Sequence, residues 1–174
     1  IVHDVDIIIQ DKEIDVVVEV MGGIEPAFTF VKRALEAGKS VCTSNKALVA
    51  AHGAELLAMA KERSLNFMFE ASVGGGIPII RPLNQALTAD EITKITGIMN
   101  GTTNYILTKM SNDGSSYEEV LKEAQALGYA ERNPEADVEG YDACRKIAIL
   151  TSLADGRTVN FEEITTEGIT KISN

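Results

Sequence analysis

Short β-branched runs alternate with amphipathic segments over the first seventy positions. Residues 14–20 form a Val-rich run before two glycines, a pattern typical of a strand that is buried on both faces and ends in a tight turn. Phe28, Val31 and Leu35 then recur on one helical face, and Gly38 follows where a C-terminal cap belongs. The pattern predicts a strand followed by a short amphipathic helix.

The same alternation continues to residue 70. Residues 40–43 indicate a second strand, Asn45 is placed to cap a helix that reaches about residue 63, and residues 65–69 indicate a third strand. This spacing predicts a doubly wound α/β fold, a partial Rossmann-type parallel sheet. Right-handed crossovers bring the carboxyl ends of the strands, near Gly22, Lys46 and Glu70, to one edge, where ligands bind in such folds.

The pattern changes after residue 70, and we place a domain boundary there, between residues 1–70 and 71–174. A glycine turn with Pro78 opens a predicted helix. The buried side of that helix is expected to carry Ile79, Ile80, Leu83 and Leu87.

The elements after this boundary are mixed. Residues 92–99 are rich in β-branched side chains and predict a strand, and a helix follows residue 100. Ser116 and Glu119 form a capping-box pattern for another helix, and the last clear helix covers about residues 140–154. Residues 71–174 are therefore predicted to form an α+β domain.

Composition removes several classes of function. Sixteen basic against 26 acidic residues, for a net charge of −10, argue against a nucleic-acid partner, which would need clustered Lys and Arg. Cys42 and Cys144 lie far apart without metal-ligand spacing, so we expect reduced thiols in a cytoplasmic protein. No apolar run is long enough to span a membrane, and Asn100, although it begins a glycosylation sequon, is assigned no function.

The most informative segment is the acidic stretch from residue 128 to 146. Asp142 and Lys146 are four apart and share one helical face, while the turn at Pro134 can bring Glu131 and Asp137 toward that face. A small cationic group fits among these carboxylates. The alternative is an ordinary surface pair worth about 0.3–0.5 kcal/mol, although the apolar residues that follow leave little solvated surface for such a pair.

The spacing of this segment resembles the signature segment of homoserine dehydrogenases. The matching positions are Ala124, Gly128, Tyr129, Asn133, Pro134, Asp137, Val138, Gly140, Asp142 and Lys146. The resemblance extends to residues 19–23, 43–46, 70–78 and 97–105. It covers essentially the whole chain.

The resemblance implies reversible hydride transfer between NADP or NAD and L-aspartate 4-semialdehyde, which gives L-homoserine on the way to threonine, methionine and isoleucine. Residues 1–70 would be the C-terminal part of the NAD(P)-binding domain, and residues 71–174 an incomplete substrate domain that also forms a homodimer. Lys146 would donate the proton to the alkoxide, as a positioned ammonium can. Asp142 would orient Lys146 and bind substrate, and Lys46 would contact nucleotide and substrate.

The resemblance also implies the remaining ligands. Glu131 would hold the substrate α-ammonium, with the other substrate contacts from Tyr129, Asp137, Gly101 and Thr102. The turn at Met21, Gly22 and Gly23 would meet the nicotinamide ribose, where glycine leaves no Cβ in the way. A monovalent cation, commonly sodium, would be held by the carbonyl oxygens of Glu70, Val73, Gly75 and Ile77.

One part of the family pattern is not in this sequence. No GxGxxG loop occurs, and Ile1 is not a Met, so we expect the chain to belong to a longer polypeptide and to bind dinucleotide weakly by itself, with little activity. The preference between NAD and NADP stays open. Two alternatives also stay open: a different Rossmann oxidoreductase, such as a sugar dehydrogenase-like enzyme, and a non-catalytic regulatory or interaction fragment.

Overall fold

The computed structural model describes residues 1–173, which form an α/β fold around a small parallel sheet. The strands are β1 (Val16–Glu19), β2 (Ser40–Thr43) and β3 (Phe67–Met68), in the order β1-β2-β3. Both strand pairs are parallel, with Val17 opposite Val41 and Val41 opposite Phe67. The predicted fold class is confirmed.

Helices connect and follow the strands. They are α1 (Val5–Gln10), α2 (Ala27–Glu36), α3 (Lys46–Glu62), α4 (Ile80–Gln85), α5 (Gly101–Asp113), α6 (Tyr117–Ala126), α7 (Glu135–Val138) and α8 (Tyr141–Asp155). Short 3-10 turns cover Glu70–Ser72 and Phe161–Glu163. Within residues 1–173, no helix has the length and apolar character needed to cross a membrane.

Local sequence signals place several helix ends correctly. The Asn45 side chain accepts a hydrogen bond from the Leu48 backbone N–H at 3.1 Å and so caps α3. Gly38 follows α2 with a φ of +81°, a left-handed conformation that favours glycine. The Ser116–Glu119 capping box before α6 is present with both of its bonds. These predictions and that of the last helix, α8, are confirmed.

The first strand is less buried than its sequence predicts. Val18 is 64% exposed and Val16 49% exposed, whereas Val17 packs against the core. Successive side chains of a strand point to opposite faces of the sheet. The face that carries Val16 and Val18 has no layer over it among the described residues, so the prediction of a strand buried on both faces is wrong here.

Two predictions after residue 70 also need correction. Residues 92–99 have no regular secondary structure, and Ile98 is 81% exposed. A β-branched run becomes a strand only beside a hydrogen-bonded partner, and residues 71–173 contain no other strand to provide one. The helix predicted after Pro78 is α4, which buries Ile80 but leaves Ile79 before its start and Leu87 beyond its end, both exposed.

Two hydrophobic cores form the interior. The larger joins the sheet, α2 and α3 with Ile80 of α4 and with Ile149 and Leu150 of α8. The smaller lies among α5, α6 and α7, around Ile106 and Val120. Because α8 packs against both α3 and α7, its first turns lie beside the carboxyl edge of the sheet. The domain boundary at residue 70 stays a prediction.

Candidate active site

A cleft of about 290 Å³ opens where the carboxyl ends of β1 and β2 face the first turn of α8. Its walls come from the turn after β1, the start of α3, the segment around α7, and α8 itself. The lining residues are Met21, Gly22, Gly23, Ser44, Asn45, Lys46, Ala47, Glu131, Asn133, Ala136, Asp137, Asp142 and Arg145. The structure thus brings the predicted nucleotide turn, Lys46 and three predicted acidic residues to one place.

A buried polar network fixes the sheet side of the cleft. The Glu19 carboxylate accepts hydrogen bonds from the Met21 backbone N–H, at 2.6 Å, and from the Thr43 hydroxyl. The Thr43 hydroxyl oxygen accepts the Asn45 N–H at 2.9 Å, and the Asn45 amide donates to the Gly23 carbonyl at 2.6 Å. The network ties the turn after β1 to the start of α3. Sequence reasoning missed this role of Glu19, because its partner Thr43 is 24 positions away.

Asp142 is the centre of charge in the cleft. Its side chain is 5% exposed, and its two oxygens pair with the Lys46 and Lys146 ammonium groups, each at 2.7 Å. The Asn100 amide donates a third hydrogen bond at 3.0 Å. Burial raises the pKa of Asp142, but the bonds from Lys146, Lys46 and Asn100 outweigh burial, so the pKa lies below the ordinary value. Asp142 is therefore an ionised bridge between two cations.

Lys146 is held by two acceptors. Its ammonium donates to the Asp142 carboxylate and, at 2.7 Å, to the Met99 backbone carbonyl, and its side chain is 13% exposed. A surface pair four residues apart would be largely solvated. The burial of both partners excludes the interpretation of Asp142 and Lys146 as a surface pair.

Asn100 also contacts a second carboxylate. Its amide nitrogen donates to Asp137 at 2.7 Å as well as to Asp142, and its oxygen accepts the Thr103 N–H at 2.8 Å, which caps α5. No function was predicted for Asn100 from the sequence. A sequence gives little warning of such a residue, since its two acidic partners lie 37 and 42 positions away.

Three predicted substrate contacts do not line this cleft. Gly101, Thr102 and Tyr129 line a separate cavity of about 880 Å³. The Thr102 hydroxyl donates to the Tyr129 carbonyl at 2.7 Å, and the exposed Tyr129 ring packs on Tyr105 with centroids 4.9 Å apart. Among the predicted substrate residues, Glu131 and Asp137 line the main cleft. The substrate roles of all five residues stay predictions.

The loop predicted to hold a cation closes tightly. A Cβ on Gly74 would lie 2.6 Å from the Ile77 carbonyl oxygen, so the backbone folds back on itself there. The Glu70 carbonyl accepts the Val73 and Gly74 N–H groups, both at 3.3 Å. No cluster of three His, Cys, Asp or Glu side chains within residues 1–173 could hold a metal. The oxygens that this loop offers are chiefly backbone carbonyls, which suit hard cations.

The Glu70 side chain also forms a helix cap, which was not predicted from the sequence. Its carboxylate accepts the Ile79, Ile80 and Arg81 backbone N–H groups at 2.5, 2.7 and 2.9 Å, at the start of α4. Burial raises the pKa of Glu70, but these backbone bonds and the charge of Arg81 together lower it by more, so the pKa lies below its ordinary value. The carboxylate caps the helix that follows the loop.

Dinucleotides bind Rossmann-type folds at the carboxyl edge of the parallel sheet, where this glycine turn lies, and the lysine and carboxylate cluster beside the turn is suited to proton transfer. The site therefore indicates a dinucleotide-dependent oxidoreductase. Comparison with known proteins agrees with this class. The family model described as homoserine dehydrogenase, NAD binding domain, matches residues 1–70, and the model described as homoserine dehydrogenase matches residues 78–174. The chain belongs to the homoserine dehydrogenase family.

Individual relatives give the same result. The homoserine dehydrogenase of Bacillus subtilis (strain 168) is 53% identical over 167 residues, which are 96% of this chain and 39% of that protein. A homoserine dehydrogenase structure from Thiobacillus denitrificans is 47% identical with a TM-score of 0.94, over 98% of this chain and 39% of that one. A hyperthermophilic archaeal homoserine dehydrogenase in complex with NADPH is 34% identical with a TM-score of 0.90, over 99% of this chain and 53% of that one. The chain spans about 39% of the length of the curated relative.

Proposed function

We propose that the gene product containing this chain catalyses the NAD(P)-dependent, reversible reduction of L-aspartate 4-semialdehyde to L-homoserine, in the biosynthesis of threonine, methionine and isoleucine. The observation that carries the proposal is the buried Asp142, which pairs with Lys46 and Lys146 beside the predicted nucleotide turn. The NADPH complex of the archaeal relative supports NADP as one cofactor.

The turn after β1 fits a nucleotide. At Gly22, a Cβ would meet no atom within 4 Å, and Gly23 has a φ of +78° that favours glycine, so the backbone leaves open space on the cleft side. Met21, Gly22, Gly23 and Lys46 would hold the nicotinamide and its ribose. When bound, the nicotinamide supplies or accepts the hydride.

Lys146 is suited to move the proton. An ammonium has three N–H donors, and two of those on Lys146 are engaged by Asp142 and the Met99 carbonyl. Lys146 does not itself line the cleft but pairs with Asp142, which does, and we assign its third N–H to the substrate oxygen. In the reduction direction it protonates the new alkoxide, and in the oxidation direction the lysine accepts the proton back from the homoserine hydroxyl.

The carboxylates that form no ion pair with Lys46 or Lys146 would bind the substrate ammonium. Lys46 and Lys146 both pair with Asp142, and within residues 1–173 neither Glu131 nor Asp137 forms an ion pair. Both line the cleft, so its remaining negative charge is available to a cationic ligand. We assign the α-ammonium to Glu131 and Asp137, with further contacts from Tyr129, Gly101 and Thr102.

The test is homoserine oxidation by the full-length gene product, followed by NADPH and NADH absorbance at alkaline pH. Lys146→Ala should lower kcat by about 10²–10⁴-fold, the usual contribution of a general acid or base. Lys146→Arg keeps the cation but cannot release its proton, so it should be as slow as the alanine variant. Lys61→Ala, an exposed lysine at the far end of α3, is the control.

Absence of homoserine-dependent signal in the wild type would overturn the enzyme assignment. Wild-type activity with near-normal turnover in Lys146→Arg would leave the reaction intact and remove Lys146 as the proton donor, since a guanidinium stays charged throughout this pH range.

We also propose that the carbonyl oxygens of Glu70, Val73, Gly75 and Ile77 hold a sodium ion. The donor chemistry and the closed loop support this site. The full-length protein should then unfold at a higher temperature in NaCl than in choline chloride at equal ionic strength. Equal unfolding temperatures in the two salts would argue against the site.

The remaining proposals concern the whole protein. We infer a homodimer, to be measured by light scattering on the purified protein, and a small-molecule substrate with neither nucleic acid nor membrane as partner. We also infer a cytoplasmic location, supported by the two free cysteines among the described residues, Cys42 and Cys144.

A further inference from the structure

The side-chain amide of Asn100 donates hydrogen bonds to two different carboxylates. It is 8% exposed, and its Nδ2 donates to Asp137 Oδ1 at 2.7 Å and to Asp142 Oδ2 at 3.0 Å. Its Oδ1 accepts the Thr103 backbone N–H and the Thr103 hydroxyl at 2.8 and 3.1 Å. An N–H can bind only an acceptor, so the Thr103 backbone fixes which way the amide points.

The two carboxylates have different surroundings. Asp142 is paired with Lys146 on its own helix and with Lys46 from α3. Asp137, at the third position of α7, has no cation within ion-pair distance in the part of the chain that the structure describes. Glu131 adds a third carboxylate to the same cleft, and Arg145, which also lines it, lies over the Phe161 ring. Like charges this close destabilise one another's ionised forms unless donors compensate them.

The neutral Asn100 amide reduces the repulsion between the two carboxylates in a way that another lysine would not. It donates to an oxygen of each carboxylate without cancelling the negative charge that Asp137 offers to the cleft. Because the same amide contacts both groups, it also fixes their separation. The Met99 carbonyl, adjacent in the chain, accepts from Lys146, so this short segment locates the lysine as well.

We propose that Asn100 is a positioning residue that holds the Asp137 and Asp142 carboxylates side by side, so that Asp142 orients the lysines while Asp137 faces the substrate cation. The inference rests on the proposed function. It assigns Asn100 no contact with substrate; the residue acts through the two aspartates.

The variants must separate this bridge from the helix cap, because Asn100 also caps α5. Asn100→Asp keeps the size and remains a good N-cap, but loses both N–H donors and adds a negative charge. Asn100→Ser also keeps a capping oxygen, adds no charge, and is too short to bridge. Asn66→Asp is the control: this exposed residue directly precedes β3, at the edge of the sheet opposite the cleft, so the variant repeats the change of charge away from the site.

Both Asn100 variants should raise the KM for homoserine by about ten- to hundredfold, as expected when a hydrogen bond to a charged group is lost. The acid limb of kcat/KM against pH should also move to higher pH in the reduction of L-aspartate 4-semialdehyde, the direction in which Lys146 acts while protonated. The lysine network is intact above the pKa of Asp142 and is lost as pH falls through it, and removing one of the bonds that lower this pKa raises it. Asn100→Asp should shift the limb further than Asn100→Ser, since it adds repulsion.

The readouts distinguish the possible failures. A wild type without homoserine-dependent activity would overturn the proposed function itself. An active wild type whose two Asn100 variants keep its pH profile and KM would overturn the positioning role alone. Loss of kcat with an unmoved acid limb would also overturn it, since that is the pattern of a purely structural cap. Thermal unfolding of each variant establishes that the cap-preserving substitutions remain folded.

Discussion

Replacing Asp142 by asparagine is the most direct test of how the site is held together. The substitution keeps the shape of the side chain but removes the negative charge that Lys46 and Lys146 share at 2.7 Å each. The asparagine oxygen can still accept a hydrogen bond from one lysine ammonium. The amide NH₂ group, which is a donor, would face the donor N–H groups of the other lysine and could form no hydrogen bond with them. The change leaves two ammonium groups close together without their common counter-charge.

The structure sets the expected magnitude. Asp142 is 5% exposed, and removing one partner of a buried pair costs about 3–5 kcal/mol. Asparagine keeps part of the hydrogen bonding, so we expect the lower end, about 3 kcal/mol, in the free energy of unfolding. If the transition state loses a similar amount, kcat/KM for homoserine falls by about a hundredfold.

Steady-state kinetics and denaturant unfolding of the full-length gene product measure both quantities. Asp113→Asn is a matched control, because Asp113 pairs with Lys109 at 3.2 Å with the same four-residue spacing, yet the two side chains are 48% and 36% exposed. The free energy of unfolding of that variant should fall by no more than about 1 kcal/mol. If Asp142→Asn changed the free energy of unfolding and kcat/KM as little as Asp113→Asn does, the ionised bridge would not be the organising feature of the site.

The pH dependence of stability has a defined sign. The pKa of Asp142 is lowered on folding, since the bonds from Lys146, Lys46 and Asn100 outweigh burial. Its contribution to the free energy of unfolding is therefore fully present above the ordinary aspartate pKa of 3.8 and is lost as pH falls through the lowered value. In that acid window the stability of Asp142→Asn should vary less with pH than that of the wild type.

Two further substitutions test local structure around the site. Glu70→Ala removes the acceptor of three backbone N–H groups at the start of α4, so the free energy of unfolding should fall by about 1–2 kcal/mol. The loss should be smaller in acid, because those bonds lower the pKa of Glu70 and are weakened once the carboxylate is protonated; an unchanged denaturation midpoint would contradict the cap. Gly140→Ala combines a φ of +84° with a Cβ 2.9 Å from Thr166 Cγ2, whereas Gly114→Ala has a φ of +67° and open space. Both variants should lose at least about 1 kcal/mol in the free energy of unfolding. Only Gly140→Ala should also lower kcat, because Gly140 lies just before α8 and two residues before Asp142. Equal effects of the two substitutions on kcat would refute the steric argument.

Features that depend on short stretches of chain were predictable. The caps at Asn45 and Ser116, the glycine after α2 and the alternation of strands and helices all concern residues within a few positions of each other. The identity of Asp142 and Lys146 as a pair was predictable for the same reason, since four residues are one helical turn. Local chemistry decides these features in the folded chain as it does in a peptide.

Features that depend on a distant partner were not predictable. Residues 92–99 have the composition of a strand, but pairing needs a neighbour, and none is present in residues 71–173. The exposure of Val16 and Val18 likewise depends on what covers one face of the sheet, which periodicity along β1 does not reveal. Composition describes what a segment can do, and its surroundings decide whether it does so.

The same distinction explains which site residues were missed. Sequence reasoning favours residues whose chemistry is visible in isolation, such as lysines and carboxylates in a charged segment. Asn100 and Glu19 act instead by satisfying backbone groups and other side chains, at sequence separations of up to 42 and 24. Yet the charged groups depend on them: Asn100 donates to both aspartates, and the Glu19 network fixes the turn and the helix start from which Lys46 extends. Three cations, Lys46, Arg145 and Lys146, and three carboxylates lie in or beside one small cleft. They can keep a single arrangement only if neutral and buried groups fix the distances between them, so the positioning residues are as necessary to the chemistry as the charges they hold.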